Sequence, residues 1–202
     1  MEWINELEGK LWRTKGSRFN ANKRIAKENQ YSRYSMAFLS SYIIIINIYS
    51  VYLKCFVADG INNNISNSIP FFSISLGILI LVINLTETAK GLNLKAEKML
   101  SSAKEISGLY DRLKLQSSLN KQNLESEINA ITKEYNSIIS KYDNHETIDY
   151  EYFKTNHPKE FELDPCKKNL IRFKYFLKPR FGYFILTLLV SIIIFGFILC
   201  QN

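Results

Sequence analysis

His145 and Asp149 come closer than any other residues of this chain to a pair that could do chemistry. Spaced i, i+4 on a helix, an imidazole and a carboxylate share one face and could together hold a metal ion. A metal site normally needs three or more ligands, and Cys55, Cys166 and Cys200 are isolated from one another in sequence. No nucleophile elbow, phosphate loop or paired-glycine motif organises the serines and acids. We therefore predict that the protein is not an enzyme, that it holds no metal or cofactor, and that His145 serves in a cap or a surface hydrogen bond.

Three long apolar runs are the elements that dominate the chain: Met36–Val57, Ile69–Leu85 and Tyr183–Cys200. A helix rises about 1.5 Å per residue, so each run can cross a hydrocarbon core of about 30 Å, the second only barely. Their lipid-facing parts contain no Asp, Glu, Lys or Arg, and Lys54 lies near the end of the first run, within snorkelling reach of the interface. The sequence therefore predicts an all-α integral membrane protein.

The charges that flank these runs predict the topology. Residues 1–35 carry eight Lys or Arg against four Glu, and residues 86–180 carry seventeen against fourteen acids. The loop Ala58–Ser68 has no Lys or Arg. The positive-inside rule then places the N-terminus in the cytoplasm, the loop outside and the C-terminus outside, in a multi-pass protein of the inner membrane. The net charge of +7 is explained by topology, so we expect the lipid bilayer as a partner and no direct nucleic-acid binding.

Small and polar residues follow one face of each of the first two membrane helices. At about 100° per residue they fall within arcs of about 80° and about 60°. Two interpretations stay open: helix–helix packing, or a water-facing stripe that lines a pore made by a homo-oligomer. The residues are Ser40, Asn47, Ser50 and Lys54 on the first helix, and Ser73, Gly77, Asn84 and Thr88 on the second.

The remaining segments are predicted to be helical and cytoplasmic. Residues 1–35 form a basic N-terminal helix with Gly16 as a candidate break, and residues 36–88 form a transmembrane hairpin (36–57 and 69–86) in which Pro70 occupies the first turn of the second helix. Residues 89–165 continue from that helix past Gly91 and carry an apolar seam with alternating steps of four and three residues. A continuous coiled-coil helix and a hairpin turning near Ser117–Asn123 both fit. The seam, an oligomer contact or a core, is Leu92, Met99, Ile106, Leu113, Leu124, Ile131 and Ile138.

A basic segment, residues 166–180, precedes the third membrane helix at 183–200. Its apolar and basic residues occupy different faces, which predicts an in-plane amphipathic helix on the anionic inner leaflet that joins the third helix through Pro179. The residues expected to contact this leaflet are Lys167, Lys168, Arg172, Lys174, Lys178 and Arg180.

Two stretches resemble a known family. LWRTKGSRFNANKR (Leu11–Arg24), followed by KENQYSRYSMAFLSSY, resembles the start of SLATT-domain proteins, which are two-transmembrane effector domains. NHETIDYEYF (Asn144–Phe153) resembles a second signature, of a subfamily often encoded beside reverse transcriptases. The resemblance spans Leu11 to Phe153. The third apolar run departs from the two-helix core of the family.

This resemblance implies a pore-forming effector of prokaryotic antiviral defence that oligomerises and disrupts the inner membrane on activation, so that the infected cell aborts the infection. It also implies an operon-encoded partner that senses or synthesises nucleotides or nucleic acid, a reverse transcriptase among them. The alternative is a non-conducting membrane anchor or scaffold whose cytoplasmic helices recruit a soluble partner.

Overall fold

A computed structural model describes residues 2–56, 63–118 and 124–199, without the side chains of residues 50, 52–69 and 197–199. The described residues form helices and no strand, which confirms the all-α fold class. The helices are α1 (Glu2–Phe56), α2 (Asn63–Ala89), α3 (Leu92–Ser118), α4 (Leu124–Lys141), α5 (Thr147–Thr155) and α6 (Pro165–Leu199).

The N-terminal segment and the first apolar run form one helix. The 55 residues of α1 run through Gly16 without a break, so the candidate break at this glycine is wrong. Gly16 is instead required for packing, because a Cβ atom at this position would overlap the ring of Phe153. Glycine is therefore needed here for close approach and not for chain reversal.

Helix α2 begins and ends elsewhere than the sequence suggested. It starts at Asn63, so Pro70 lies inside the helix and not in its first turn, and part of the predicted loop Ala58–Ser68 is helical. The helix ends at Ala89 and does not continue past Gly91, whose φ of 58° is left-handed. The amides of Lys90 and Gly91 bond back to the carbonyls of Glu87 and Thr88, a helix ending that favours glycine.

The predicted seam divides between two helices that pack on each other, α3 and α4. Most of its side chains are at most 9% exposed, and Leu124 is half-buried. Ile106, Leu113, Ile131 and Ile138 share one core with Leu7 and Leu11 of α1. Leu92 and Met99 belong to a second core with Ala21 and Ile25. The turn region near Ser117–Asn123 lies partly outside the described residues.

The basic segment and the third apolar run also form a single helix. Helix α6 continues through Pro179 from Pro165 to Leu199, so residues 166–180 are not a separate helix, and their in-plane orientation on the inner leaflet stays a prediction. Proline costs a helix one backbone hydrogen bond and tends to kink it. Here the buried side chains Ile171 and Val190 lie on either side of Pro179, so packed turns flank the proline on both sides.

The chain divides into two compact units. Unit 1 comprises Met1–Lys27 and Leu92–Pro179, and unit 2 comprises Glu28–Gly91 and Arg180–Asn202. In unit 2 the apolar parts of α1, α2 and α6 pack together around Met36, Leu39, Ile46, Leu76, Ile80 and Val190. Helices α1 and α6 each contribute residues to both units.

Candidate functional site

The centre of unit 1 is a buried ion pair between α1 and α5. Nε and Nη2 of Arg24 donate to Oδ1 and Oδ2 of Asp149 at 2.8 and 3.0 Å, and the two residues are 3% and 0% exposed. Arg24 also lies 3.0 Å from Oε1 of Glu146. A buried ion pair is tolerated only when both charges are well hydrogen-bonded, and this bidentate geometry meets that condition.

Asp149 also organises the start of α5. Its Oδ2 accepts the backbone N–H of Glu146 at 3.0 Å, as part of a capping box. The backbone carbonyl of Asp149 accepts a hydrogen bond from Nδ2 of Asn20 at 3.2 Å. The backbone carbonyl of Asn20 in turn accepts a hydrogen bond from the hydroxyl of Tyr175 on α6 at 2.7 Å. The Asp149 carboxylate thus accepts three hydrogen bonds, two from Arg24 and one from the backbone N–H of Glu146. The described residues contain no group of three or more potential metal ligands, and the absence of a metal at His145 and Asp149 stays a prediction.

An aromatic cluster forms another part of the contact between α1 and α5, at Trp12, which precedes Arg24 on α1. Trp12 meets Phe153 and His157 edge-on, each with ring centroids 4.7 Å apart. Nδ1 of His157 lies 2.9 Å from the Phe153 carbonyl. With Gly16 beneath the Phe153 ring, this packing joins α1 to α5. The stretches Leu11–Arg24 and Asn144–Phe153 are thus packed directly against each other.

Glu146 connects α5 to α6. Its carboxylate is paired with Lys178 as well as with Arg24. Burial alone would raise the pKa of Glu146, but the hydrogen bonds and charges of Lys178 and Arg24 outweigh it and hold the pKa below its usual range.

Two further polar groups are buried beside this network. Arg18 is 0% exposed and donates to Ser102 on α3, while its Nε and Nη2, and Nδ1 of His145, have no hydrogen-bond partner among the described residues. Burial lowers the pKa of His145, Asp149 raises it, and the positive charge of Arg18 lowers it again. The structure thus keeps His145 neutral near pH 7 and half-buried, whereas the sequence suggested a cap or a surface hydrogen bond.

In unit 2 the predicted polar arcs meet at one hydrogen bond. Nδ2 of Asn47 donates to Oγ of Ser73 at 2.8 Å, across α1 and α2. Ser73 is buried, and Gly77 lies near Ile43 of the facing helix. Ser40 and Thr88 are exposed and Asn84 is half-buried, while the side chains of Ser50 and Lys54 lie outside the described residues. Among the described members of the two arcs, the structure brings Asn47 and Ser73 together by a side-chain hydrogen bond.

Polar contacts to α6 were missed by the sequence reasoning. Hydroxyls pair between α1 and α6 at Ser35–Thr187 (2.8 Å) and Tyr42–Ser191 (2.9 Å). Glu87 of α2 accepts hydrogen bonds from Ser32 at 3.0 Å and Tyr183 at 2.7 Å. The only signal in the sequence was the spacing of hydroxyls along the third run, which gives no partner.

Three of the six basic residues of α6 contact polar groups within their own units. Lys178 pairs with Glu146 in unit 1, where Arg172 also reaches the carbonyl of Thr155 at 3.4 Å. Arg180 donates to the Tyr31 hydroxyl at 2.9 Å in unit 2. Lys167 and Lys174 are exposed and Lys168 is half-buried. Contact with the inner leaflet stays a prediction for all six residues.

Two stretches of the described chain, Pro70–Ser118 and Pro165–Gly196, contain windows long and apolar enough to cross a membrane. Only 17% of each window is buried, whereas the core helix of a soluble protein would be mostly buried. Side chains such as Ile78, Leu81 and Ile192 are more than half exposed, as contact with lipid requires. The first predicted span, Met36–Val57, falls on α1 as far as Phe56, and its final side chains are outside the described residues; that it crosses the membrane stays a prediction.

No curated protein and no solved structure is significantly similar to the chain. The family described as SMODS and SLOG-associating 2TM effector domain family 5 matches residues 1–197. The match includes α5 with its contact to α1, and it extends through most of the third apolar run, which is therefore part of the family match and not an addition outside it. The chain thus belongs to the SMODS and SLOG-associating two-transmembrane effector domain family 5, one of the SLATT families, and is a membrane effector domain.

Proposed function

We propose that this protein is an effector of prokaryotic antiviral defence that oligomerises and permeabilises the inner membrane when activated, so that the infected cell stops before the virus matures. The observation that carries the proposal is the exposure of apolar side chains on α2 and α6 in a chain of an effector-domain family. The proposal includes no chemical catalysis, and the carboxylate of the predicted His145–Asp149 pair is bound by Arg24.

An oligomer is required because three helices do not enclose a water-filled lumen. Each protomer contributes a polar face, of which Ser40 and Asn47 are exposed in the single chain. Asn47 lies near the middle of the first apolar run, where an amide in hydrocarbon is costly unless it has a partner or water.

Activation acts on unit 1. Helices α1 and α6 continue from the Arg24–Asp149–Glu146 network into the membrane segments. A signal that displaces α5 therefore changes what restrains both helices. The partner is an operon-encoded sensor or an enzyme that makes nucleotides or nucleic acid, such as a reverse transcriptase.

Ion leak in cells tests the proposal. Membrane potential and K⁺ efflux are measured in cells that produce the protein alone, with its operon neighbours, and with the neighbours during infection. We expect depolarisation before lysis in the activated state. An unchanged potential in infected cells that the operon still protects would contradict membrane permeabilisation.

A non-conducting anchor is the second candidate function. It is favoured by the polar contacts Asn47–Ser73, Ser35–Thr187 and Tyr42–Ser191, which satisfy side chains within one chain. In that case unit 1 recruits a soluble partner while the membrane helices only hold it in place.

The orientation is proposed from the charge asymmetry, with the N-terminus in the cytoplasm and the C-terminus outside. A cysteine placed at Asn63 should react with an impermeant maleimide in intact cells. Reaction only after permeabilisation would reverse the topology.

A further inference from the structure

Arg18 is a buried cation whose hydrogen bonds are incomplete. Its side chain is 0% exposed, and its Nη1 donates to Oγ of Ser102 on α3. Its Nε and Nη2 have no acceptor among the described residues. A guanidinium does not lose its proton in proteins, so Arg18 cannot avoid the cost of burial by becoming neutral. A buried cation of this kind requires an anion and further hydrogen bonds.

Arg24, six residues further along α1, shows how the same two atoms bind an anion. Nε and Nη2 of Arg24 donate to the two carboxylate oxygens of Asp149 at 2.8 and 3.0 Å. These two donors lie on one edge of the planar guanidinium, and together they hold two oxygens of a single oxoanion. In Arg18 the same pair of atoms lacks an acceptor in the described part of the chain. The edge that Arg18 presents is therefore the one that suits bidentate binding of a carboxylate or a phosphate group.

His145 adds a third polar atom near Arg18. Its Nδ1 is buried and has no hydrogen-bond partner within residues 2–56, 63–118 and 124–199. Burial lowers the pKa of His145 and Asp149 raises it, while the charge of Arg18 lowers it again, so the imidazole lies within electrostatic reach of the guanidinium. A neutral imidazole with its proton on Nδ1 donates to an oxoanion oxygen. A tetrahedral phosphate offers an oxygen to His145 beyond the two that Arg18 binds, whereas a carboxylate has only those two.

Asp143 is the nearby acid that competes with such a ligand. Burial lowers the pKa of Arg18, and Tyr135, Asp143 and Tyr142 raise it. Tyrosine hydroxyls are uncharged near pH 7, so the carboxylate of Asp143 is the negative charge among these three. Asp143 is exposed, in the non-helical residues 142–146 between α4 and α5, and water screens its charge. It therefore balances the charge of Arg18 only weakly.

We propose that the Nε and Nη2 edge of Arg18, together with Nδ1 of His145, binds a phosphate-type oxoanion. A water molecule would complete the hydrogen bonds but leave the charge unbalanced, and a chloride ion would balance the charge but offer one atom to two parallel donors. An oxoanion satisfies both requirements. Because Arg18 is 0% exposed, the ligand enters by displacing residues 142–146, where Asp143 and Asn144 are exposed. Every residue of the site belongs to unit 1, and the inference does not depend on membrane permeabilisation.

Thermal unfolding of the full chain in detergent gives the first test. Phosphate is removed by dialysis, and inorganic phosphate, glycerol 3-phosphate, acetate or chloride is then added at equal ionic strength. A ligand that binds the folded chain raises the unfolding temperature as its concentration increases. We expect inorganic phosphate to stabilise the chain more than acetate or chloride does. Equal stabilisation by phosphate and chloride would overturn the inference.

The phosphate ester separates two sources of the same chemistry. Stronger stabilisation by inorganic phosphate than by glycerol 3-phosphate supports the site and identifies the free anion as its ligand. Stronger stabilisation by glycerol 3-phosphate supports the site and identifies a phosphate carried by a larger molecule.

Calorimetric titration of variants with inorganic phosphate tests the residues. Arg18→Lys keeps the charge and loses the bidentate edge, so we expect the affinity for phosphate to fall by about tenfold, the effect of one hydrogen bond to a charged group. His145→Ala should lower the affinity less. Asp143→Asn should raise it, because the competing charge is removed. The control is Lys98→Gln, an exposed cation one turn before Ser102 on α3, which should leave the affinity unchanged.

The variants at Asp143 and His145 keep the test decisive if Arg18→Lys does not fold, because these side chains are exposed and half-buried, and circular dichroism checks the fold of each variant. Phosphate affinity that is unchanged in Arg18→Lys, or in both His145→Ala and Asp143→Asn, would overturn the inference. So would a parent that does not bind phosphate and is destabilised by Asp143→Asn, since Asp143 would then be the counter-ion of Arg18. Phosphate binding without ion leak would instead refute permeabilisation and leave this site intact.

Discussion

Units 1 and 2 of this chain stabilise their buried polar groups in different ways. Unit 1 buries full charges and satisfies them with one another, as in the bidentate pair of Arg24 and Asp149. Unit 2 pairs its helices through neutral hydroxyls and an amide, bonds its charged Glu87 and Arg180 to hydroxyls, and leaves apolar side chains exposed on α2 and α6. Charged networks suit a domain whose outside is water, whereas neutral contacts and apolar exteriors suit hydrocarbon.

This difference indicates which part of the chain a signal could act on. An ion pair in unit 1 is a strong but breakable restraint, because removing one partner leaves the other charge buried and alone. The neutral contacts of unit 2 are individually weak and their loss is graded. Substitutions in unit 1 should therefore change stability more than substitutions in unit 2.

The largest effect is expected for Asp149→Ala. It leaves the Arg24 guanidinium buried with fewer acceptors and removes the capping box of α5, at a cost of about 3–5 kcal/mol. The matched control is Glu146→Gln. The Glu146 carboxylate is half exposed, so removing its charge should cost at most about 1 kcal/mol. Thermal unfolding in detergent measures both. Equal shifts in the two variants would show that burial of Asp149 is not what matters.

Next comes Gly16→Ala. The new methyl group overlaps Phe153, so we expect a loss of about 1–3 kcal/mol. Gly108→Ala on α3 is the control, since its Cβ meets nothing within 4 Å and alanine is favoured over glycine in helices by about 1 kcal/mol. The two substitutions should thus have opposite signs. A stabilising Gly16→Ala would mean that α1 and α5 do not pack as described.

Much of this architecture could be predicted from the sequence, and the failures have physical causes. Apolar length and 4–3 spacing are local signals, and they located the helices of unit 2 and the seam of α3 and α4. Helix ends were harder to predict: Gly91 terminates α2 with a left-handed φ, whereas Gly16 lies inside a continuous helix, where the ring of Phe153 leaves no room for a side chain. The Arg24–Asp149 pair joins residues 125 positions apart, and no periodicity within either stretch reports such a partner.

A smaller effect is expected from pH. Because the folded pKa of His145 lies below its unfolded value of about 6.5, the unfolded state binds more protons in this range. Stability should be complete above about pH 7 and fall as the pH drops through about 6.5 toward the folded pKa. His145→Gln should remove this dependence. Unfolding temperatures between about pH 7.5 and 5.5 test it, since the carboxylates remain ionised there; a parent profile as flat as that of the variant would contradict the burial of His145.

The smallest effect on stability is expected for Asn47→Leu. It removes the hydrogen bond to Ser73, and interhelical bonds of this kind are worth about 0.6 kcal/mol in membranes. Asn47→Ser is the control, since it keeps a polar group at the position. Unfolding in detergent should show a small loss for Asn47→Leu; a loss as large as that of Asp149→Ala would contradict the contrast between the units.

Single-channel recording tests the central claim, that this membrane effector conducts, most directly. Membranes are prepared from activated cells that produce the parent protein, the Asn47→Leu variant or the Asn47→Ser variant. They are then fused with planar bilayers. We expect discrete conductance steps for the parent and Asn47→Ser, and loss of conductance for Asn47→Leu, since a ring of apolar side chains gates a pore by dewetting. Bilayers that contain inserted, assembled parent protein and show no conductance would contradict the account and leave the anchor as the function.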